Sequence, residues 1–189
     1  MSKIQLNAAS GGGSVAFEGP ASLSSDKTIK FPNSPNVVIQ VVTATNTSKG
    51  AEGMGTNTFR LGTAFNCDIT PTSTSSKILV IYSISGSTEV NDRIISFKPV
   101  RSGTDILIGN AEGSRTRSSF GRRFDNTSLQ TVSFSVLDSP NTTSSVSYSF
   151  RNSSQGGGGF FIRNGLFNDG NNADTVRGVC TITAMELSA

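Results

Sequence analysis

The chain has 189 residues, of which 16 are basic and 13 acidic, for a net charge of +3. Histidine and tryptophan are absent, which excludes Ser-His-Asp and Cys-His nucleophile activation, imidazole acid/base work and His-ligated zinc. Charged residues make up only 15% of the chain, while Ser, Thr and Asn fill 65 positions, so the surface is mostly neutral compared with the about 25% charge of an average soluble domain.

Residues 1–36 contain Gly11-Gly12-Gly13, three prolines (Pro20, Pro32 and Pro35) and only short apolar pairs such as Val15/Phe17 and Ile29/Phe31. Such a segment cannot enclose a core. It is expected to be an extended N-terminal arm that packs on the rest of the chain or on a neighbouring subunit, with a head domain over 37–189.

The head reads as strands. Val37 to Val42 is an apolar run expected to be a strand buried on both faces. From Phe59 to Ile69 the odd positions Phe59, Leu61, Thr63, Phe65, Cys67 and Ile69 predict one long strand with a single core-facing side. Lys77 to Ser85 is β-branched and apolar, again a strand expected to be buried on both faces. Further strands are predicted at Arg93–Val100, Asp105–Ile108, Thr131–Leu137 (with Val132, Phe134 and Val136 on one face), Ser145–Phe150, Gly159–Ile162 and Gly178–Leu187. No apolar stripe of helical period persists over the dozen residues that a globular helix needs. The fold class is all-β: an antiparallel β-sandwich, jelly-roll-like, with another Greek key left open.

The segment Arg115 to Phe124 holds four arginines (Arg115, Arg117, Arg122 and Arg123) together with two aromatics, Phe120 and Phe124. It reads as a solvated loop, a set of intersubunit ion pairs, or an anion-facing contact that takes phosphate or carboxylate through guanidinium forks. Stacking of nucleic-acid bases on the phenylalanines is the weaker alternative, and no nucleic-acid partner is expected. Asn168, Asp169, Asn171 and Asn172 bring oxygen ligands together without the order or the distal glutamate of a calcium loop. They predict an ordinary turn available for partner contact. Gly156 to Gly159 lacks a following Lys-Ser/Thr and predicts a flexible hairpin tip. Cys67 and Cys180 are expected to be buried thiols. Among the carboxylates, nothing in the spacing of Glu89, Asp92, Asp105 and Glu112 singles out a glycosidase pair. No catalytic residue, cofactor or metal is expected, nor insertion into a membrane, since no apolar run of about 18 residues occurs. The N-terminus shows no basic-then-apolar export signal.

Four segments, in this order, resemble the C-terminal, receptor-facing domains of tailed-bacteriophage fibre proteins. They are Ile69-Thr70-Pro71-Thr72-Ser73-Thr74-Ser75-Ser76-Lys77-Ile78-Leu79-Val80, then Arg101-Ser102-Gly103-Thr104 leading to Ile108-Gly109-Asn110-Ala111, then Leu137-Asp138-Ser139-Pro140, and finally Thr181-Ile182-Thr183-Ala184-Met185-Glu186-Leu187. The opening Gly11 to Ser22 and the Thr28-Ile29-Lys30-Phe31-Pro32 stretch are similar to the segment that precedes such domains. The resemblance implies a non-enzymatic virion structural protein, a homotrimer assembled in the host cytoplasm, that contacts other virion proteins and meets a host-surface glycan or lipopolysaccharide. One departure matters: long fibres carry an attachment domain and a long shaft, whereas strand-rich sequence here begins close to Met1. A short fibre, a baseplate tip and a capsid decoration protein that stabilises the shell all remain consistent with it.

Overall fold

A computed structural model describes residues 3–7, 14–18 and 37–189, apart from 55–58, 62–64, 157–158, 172 and 174. The chain divides into two units, Met1–Asn33 and Ser34–Ala189. In the first, β1 (Lys3–Asn7) and β2 (Ser14–Glu18) form an antiparallel hairpin, with Lys3 opposite Glu18 and Asn7 opposite Ser14. The Ile29/Phe31 pair lies outside the described residues.

The second unit contains β3 (Val38–Asn46), β4 (Gly50–Met54), β5 (Arg60–Leu61), β6 (Cys67–Ile69), β7 (Lys77–Thr88), β8 (Arg93–Arg101), β9 (Thr104–Asp105), β10 (Phe120–Phe124), β11 (Gln130–Asp138), β12 (Val146–Ser154), β13 (Gly159–Arg163) and β14 (Cys180–Leu187). All pairings are antiparallel. One sheet runs β3-β14-β7-β11 and the other β6-β12-β8-β10. With the chain passing through these eight strands in sequence order, that arrangement is a jelly roll. The two-residue strands β5 and β9 add to the second sheet, and the β4–β13 pair extends the first along the far half of β7.

The long strand β7 makes this extension possible. Its first half lies beside β14 and its last residues, from Gly86 to Thr88, lie beside β13. At the changeover, a Cβ on Gly86 would stand 2.5 Å from the Phe161 ring and 2.6 Å from the Ile162 carbonyl, so only glycine lets the strands approach this closely. The Arg101-Ser102-Gly103-Thr104 turn between β8 and β9 places both central residues at positive φ, 45° for Ser102 and 88° for Gly103, as a tight hairpin of matching twist requires.

Between the sheets, apolar side chains stack in cross-strand rows. Val42, Ala184, Val80 and Val136 form one row of the first sheet, and Ala44, Ile182, Tyr82 and Phe134 the next. The second sheet supplies Cys67, Ile69, Ile95, Phe97, Phe124, Val146, Tyr148 and Phe150. Phe97 lies at the centre, its ring 5.8–6.4 Å from those of Phe124, Phe134, Phe150 and Phe161.

Several expectations are corrected. The strand predicted over Phe59–Ile69 is broken into β5 and β6. Both pair with β12, but five residues separate Leu61 from Cys67 where only two separate their partners Tyr148 and Arg151, so the run cannot stay in register. The strand at Asp105–Ile108 ends at Asp105, since Leu107 adopts a φ of 51°. Val37–Val42 and Lys77–Ser85 are not buried on both faces: Val38, Ile39 and Val41 are about half exposed, and Ile81 is exposed too. β3 lies at a sheet edge, and within the second unit the described residues place no second layer over that side of the sheet. The arginine segment is not wholly a loop, because Phe120–Phe124 forms the edge strand β10. Two residues of the glycine run, 157 and 158, lie outside the described residues.

Candidate interaction surfaces

At one end of the sandwich an inward-facing row reads Gln40, Glu186, Ile78, Asp138 across β3, β14, β7 and β11. Two of these are buried carboxylates, and each is fully engaged. Glu186 accepts from the Gln40 amide at 2.6 Å, and from the backbone N–H and hydroxyl of Thr72 at 2.7 Å each. Asp138 accepts from Arg101 at 2.9 Å through both oxygens and from the Tyr148 hydroxyl at 2.7 Å, so it joins β11 of one sheet to β8 and β12 of the other. Burial and this contact with Asp138 push the Tyr148 hydroxyl well above its usual range. Thr72, Arg101, Asp138 and Glu186 belong to the four segments that carry the sequence resemblance, one from each. In the fold they pair with one another, Thr72 with Glu186 and Arg101 with Asp138.

Burial alone would raise the Glu186 pKa, but the donors from Gln40 and Thr72 outweigh it and hold the group at about 2. An acid whose folded pKa lies below its unfolded value stabilises the fold at pH above about 4.5, and that contribution is lost as pH falls toward 2. Discounted for solvent screening at the sheet end, it is worth ~1–2 kcal/mol. Thermal melts of wild type and Glu186→Gln are therefore expected to differ by that amount at pH 5–7 and to converge near pH 2; a gap independent of pH would show that the carboxylate charge is not what holds Thr72.

The candidate arginines do not form one patch. Between β9 and β10 the chain leaves β8 at Pro99, where the Ile106 N–H donates to the Pro99 carbonyl, and returns at Phe97, where the Ser119 N–H donates to the Phe97 carbonyl. Residues 107–118 are thus a compact loop with adjoining ends. It carries Leu107, 56% exposed, together with Arg115 and Arg117. Arg117 donates to the Gly109 carbonyl at 2.7 Å, while exposed Arg115 pairs with exposed Glu112 at 3.1 Å. Phe120 is turned inward and stacks on Phe134 at 4.0 Å, so it is packing and not a free platform. Arg122 spans the open edge of the sandwich to the Thr131 carbonyl of the opposite sheet at 2.6 Å, and Arg123 pairs with Asp92 at 2.5 Å on the surface. Arg117 and Arg122 thus rest on carbonyls and leave their positive charge without a carboxylate in these contacts.

Asn168 and Asn171 are exposed, whereas Asp169 is turned inward, its side chain 2% exposed and bound by Lys49 and Arg177. Asn172 lies outside the described residues. Among the described residues no group of three or more Cys, Asp or Glu is placed to hold a metal ion. Asp92, Asp105 and Glu112 each pair with a basic side chain. Cys67 and Cys180 are free, buried thiols; Cys180 bonds the Ser85 backbone, and burial pushes its pKa to about 11. Among the described residues no helix is long and apolar enough to cross a membrane.

The two outward sheet faces differ in chemistry, which the sequence reading missed. Asp105, the neighbour of β8, takes Lys98 at 3.2 Å and Arg151 at 2.9 Å, so the second sheet carries a charge cluster. Three rows of outward residues cross all four strands of the first sheet: Val41, Met185, Leu79, Leu137; then Thr43, Thr183, Ile81, Ser135; then Thr45, Thr181, Ser83, Ser133. None of these twelve is charged, and exposed Lys77, opposite Leu187, stands on the same side beyond the first row. The signal was present in the sequence, in the two runs read as apolar on both sides.

Neither a protein-family model nor a curated protein matches the chain. Among solved structures, it is similar to a D431N mutant of the VP2 protein of Infectious Bursal Disease Virus, in T=1 particles, at 16% identity and a TM-score of 0.39. That similarity covers 97% of this chain and 44% of the viral one, so the chain spans less than half the length of VP2.

Proposed function

We propose that this chain is a virion structural protein of the tailed-phage fibre type, assembled as a homotrimer, which turns loops of a jelly-roll head toward glycan or lipopolysaccharide on the host surface. The observation that carries the reading is the pairing of Thr72 with Glu186 and of Arg101 with Asp138. The four segments on which the resemblance rests meet in the fold as part-buried clasps, one joining the β6–β7 connection to β14 and the other joining the two sheets, which is how a shared architecture, as opposed to chance similarity of turns, would leave its mark. The neutral Ser/Thr/Asn surface supports it as well, because contacts that depend on few ion pairs are little affected by salt. The 107–118 loop, with Arg115, Arg117 and a protruding Leu107, is the contact element this reading selects. Its fork-shaped donors suit phosphate-bearing sugars.

Antibody fragments against the purified chain test this on intact particles. Labelling at the tail tip together with blocked adsorption is the expected result. Labelling over the shell would give the chain a decoration role instead, and particles that carry none of the chain would end the virion reading.

A further inference from the structure

We propose that the junction of the β7–β8 connection with β13, where Glu89 and Val90 meet Gly159 and Phe160, is a binding site for one neutral sugar ring of a glycan. The proposal rests on the host-contact reading above and adds to it a second contact element, whose ligand chemistry is uncharged and rich in hydroxyls.

Backbone contacts fix the shape of the junction before any ligand arrives. The Glu89 N–H donates to the Phe160 carbonyl and the Thr88 N–H to the Asp125 carbonyl, both at 3.0 Å, while the Thr88 hydroxyl donates to the Val90 carbonyl at 2.7 Å. A site held in this way loses little freedom on binding. A Cβ on Gly159, whose φ is 148°, would stand 3.5 Å from a Glu89 carboxylate oxygen and 3.9 Å from Val90. The bare glycine thus lets the carboxylate come close to the root of Phe160. Phe160 faces outward and is 43% exposed, and Val90 is 38% exposed. Directly opposite Phe160 on β4 lies Gly53, with exposed Ala51 two residues away, and neither is large enough to cover the ring. A ring so placed adds little to the cohesion of the sandwich, so packing does not account for it.

Charge selects the occupant. Asp92, Asp105 and Glu112 each pair with a basic side chain, whereas among the described residues no basic side chain pairs with Glu89. A carboxylate left in this state repels phosphate, and with it phosphorylated glycans and nucleic acid. It accepts from hydroxyls in short, charge-assisted bonds. The negative face of an aromatic ring attracts the weakly positive C–H groups of a ligand. A sugar ring carries both features, hydroxyls along its edge and C–H groups on its face, and a neutral one meets no repulsion here.

The test is saturation-transfer NMR on the full chain, with D-glucose, D-galactose, D-mannose and N-acetyl-D-glucosamine as probes. Wild type is expected to pass saturation to at least one of the four. Glu89→Gln should raise the Kd about tenfold or more, as the loss of a hydrogen bond to a charged group does. Phe160→Ala should abolish transfer with circular dichroism unchanged, and Arg115→Ala, in the other contact loop, should bind as wild type does. Should Phe160→Ala misfold, Gly53→Val makes the same test, since it sets a side chain against the ring on a strand that suits β-branching. No transfer to any of the four sugars overturns the site, as does a folded Phe160→Ala or Gly53→Val that binds like wild type. If no sugar binds while antibody fragments still label the tail tip, this site fails and the host-contact reading stands. Sugar binding by a chain that particles do not carry would end that reading and leave the site in place.

Discussion

Phe97→Ala is expected to lower the stability of the head by about 3–5 kcal/mol, the range for removing a fully buried aromatic ring. Phe97 is inaccessible to solvent, and its neighbours come from both sheets: Phe124 and Phe150 from β10 and β12 beside it, Phe134 and Phe161 from β11 and β13 opposite. Alanine would remove lateral and inter-sheet contacts together, and four rings held by separate strands cannot all shift to fill the space. The measurement is urea unfolding, with the midpoint falling and the slope unchanged. Phe160→Ala, at a ring 43% exposed one position from Phe161, should cost less than ~1 kcal/mol. Similar losses at the two sites would mean that the aromatic cluster is not the centre of cohesion.

The strands that could be read from the sequence are those in which local pattern and tertiary environment agree. In β11 the inward residues Val132, Phe134 and Val136 alternate with outward serines, and the structure keeps that division. β4 was illegible. Gly-Ala-Glu-Gly-Met shows neither β-propensity nor apolar alternation. Its Glu52 is buried because Arg163, 111 residues later, meets it there. β10 was hidden for a related reason: three of its five residues are Gly, Arg and Arg, and the strand exists because β8 offers an edge to pair with. The candidate contact residues divide in the same way. Composition identified the arginine cluster, but which arginine rests on which carbonyl depends on strands brought together from afar. In β3 and β7 the pattern was read correctly as apolar on both sides and assigned to burial within the chain. Within the second unit one of those sides is left without a covering layer, because β3 lies at the edge of its sheet and Val38, Ile39 and Val41 stay about half exposed.

Arg163→Met is expected to be as damaging as Phe97→Ala, and in a pH-dependent way. Arg163 of β13 bonds Glu52 of β4 at 2.6 Å, with both side chains under a tenth exposed, and the second Glu52 oxygen accepts from Asn152 of β12 at 2.9 Å. This cluster closes the end of the sandwich opposite the Glu186 and Asp138 clasps. Removing one member of a buried pair strands the other charge, at a cost of about 3–5 kcal/mol. Burial already raises the Glu52 pKa, opposed by Arg163 and Asn152. Without the guanidinium, burial is opposed only by Asn152, so the folded variant binds a proton at a pH where the unfolded chain does not. Stability then falls as pH rises through that window. The deficit relative to wild type should be largest at neutral pH and shrink toward the ordinary carboxylate range. Glu52→Gln added to Arg163→Met removes the stranded charge and keeps an oxygen for Asn152. The double variant should recover most of the loss and show a flat pH profile. If the single variant lost the same amount at pH 5 and pH 8, or the added glutamine deepened the loss, the ion pair would not be what holds this end of the fold.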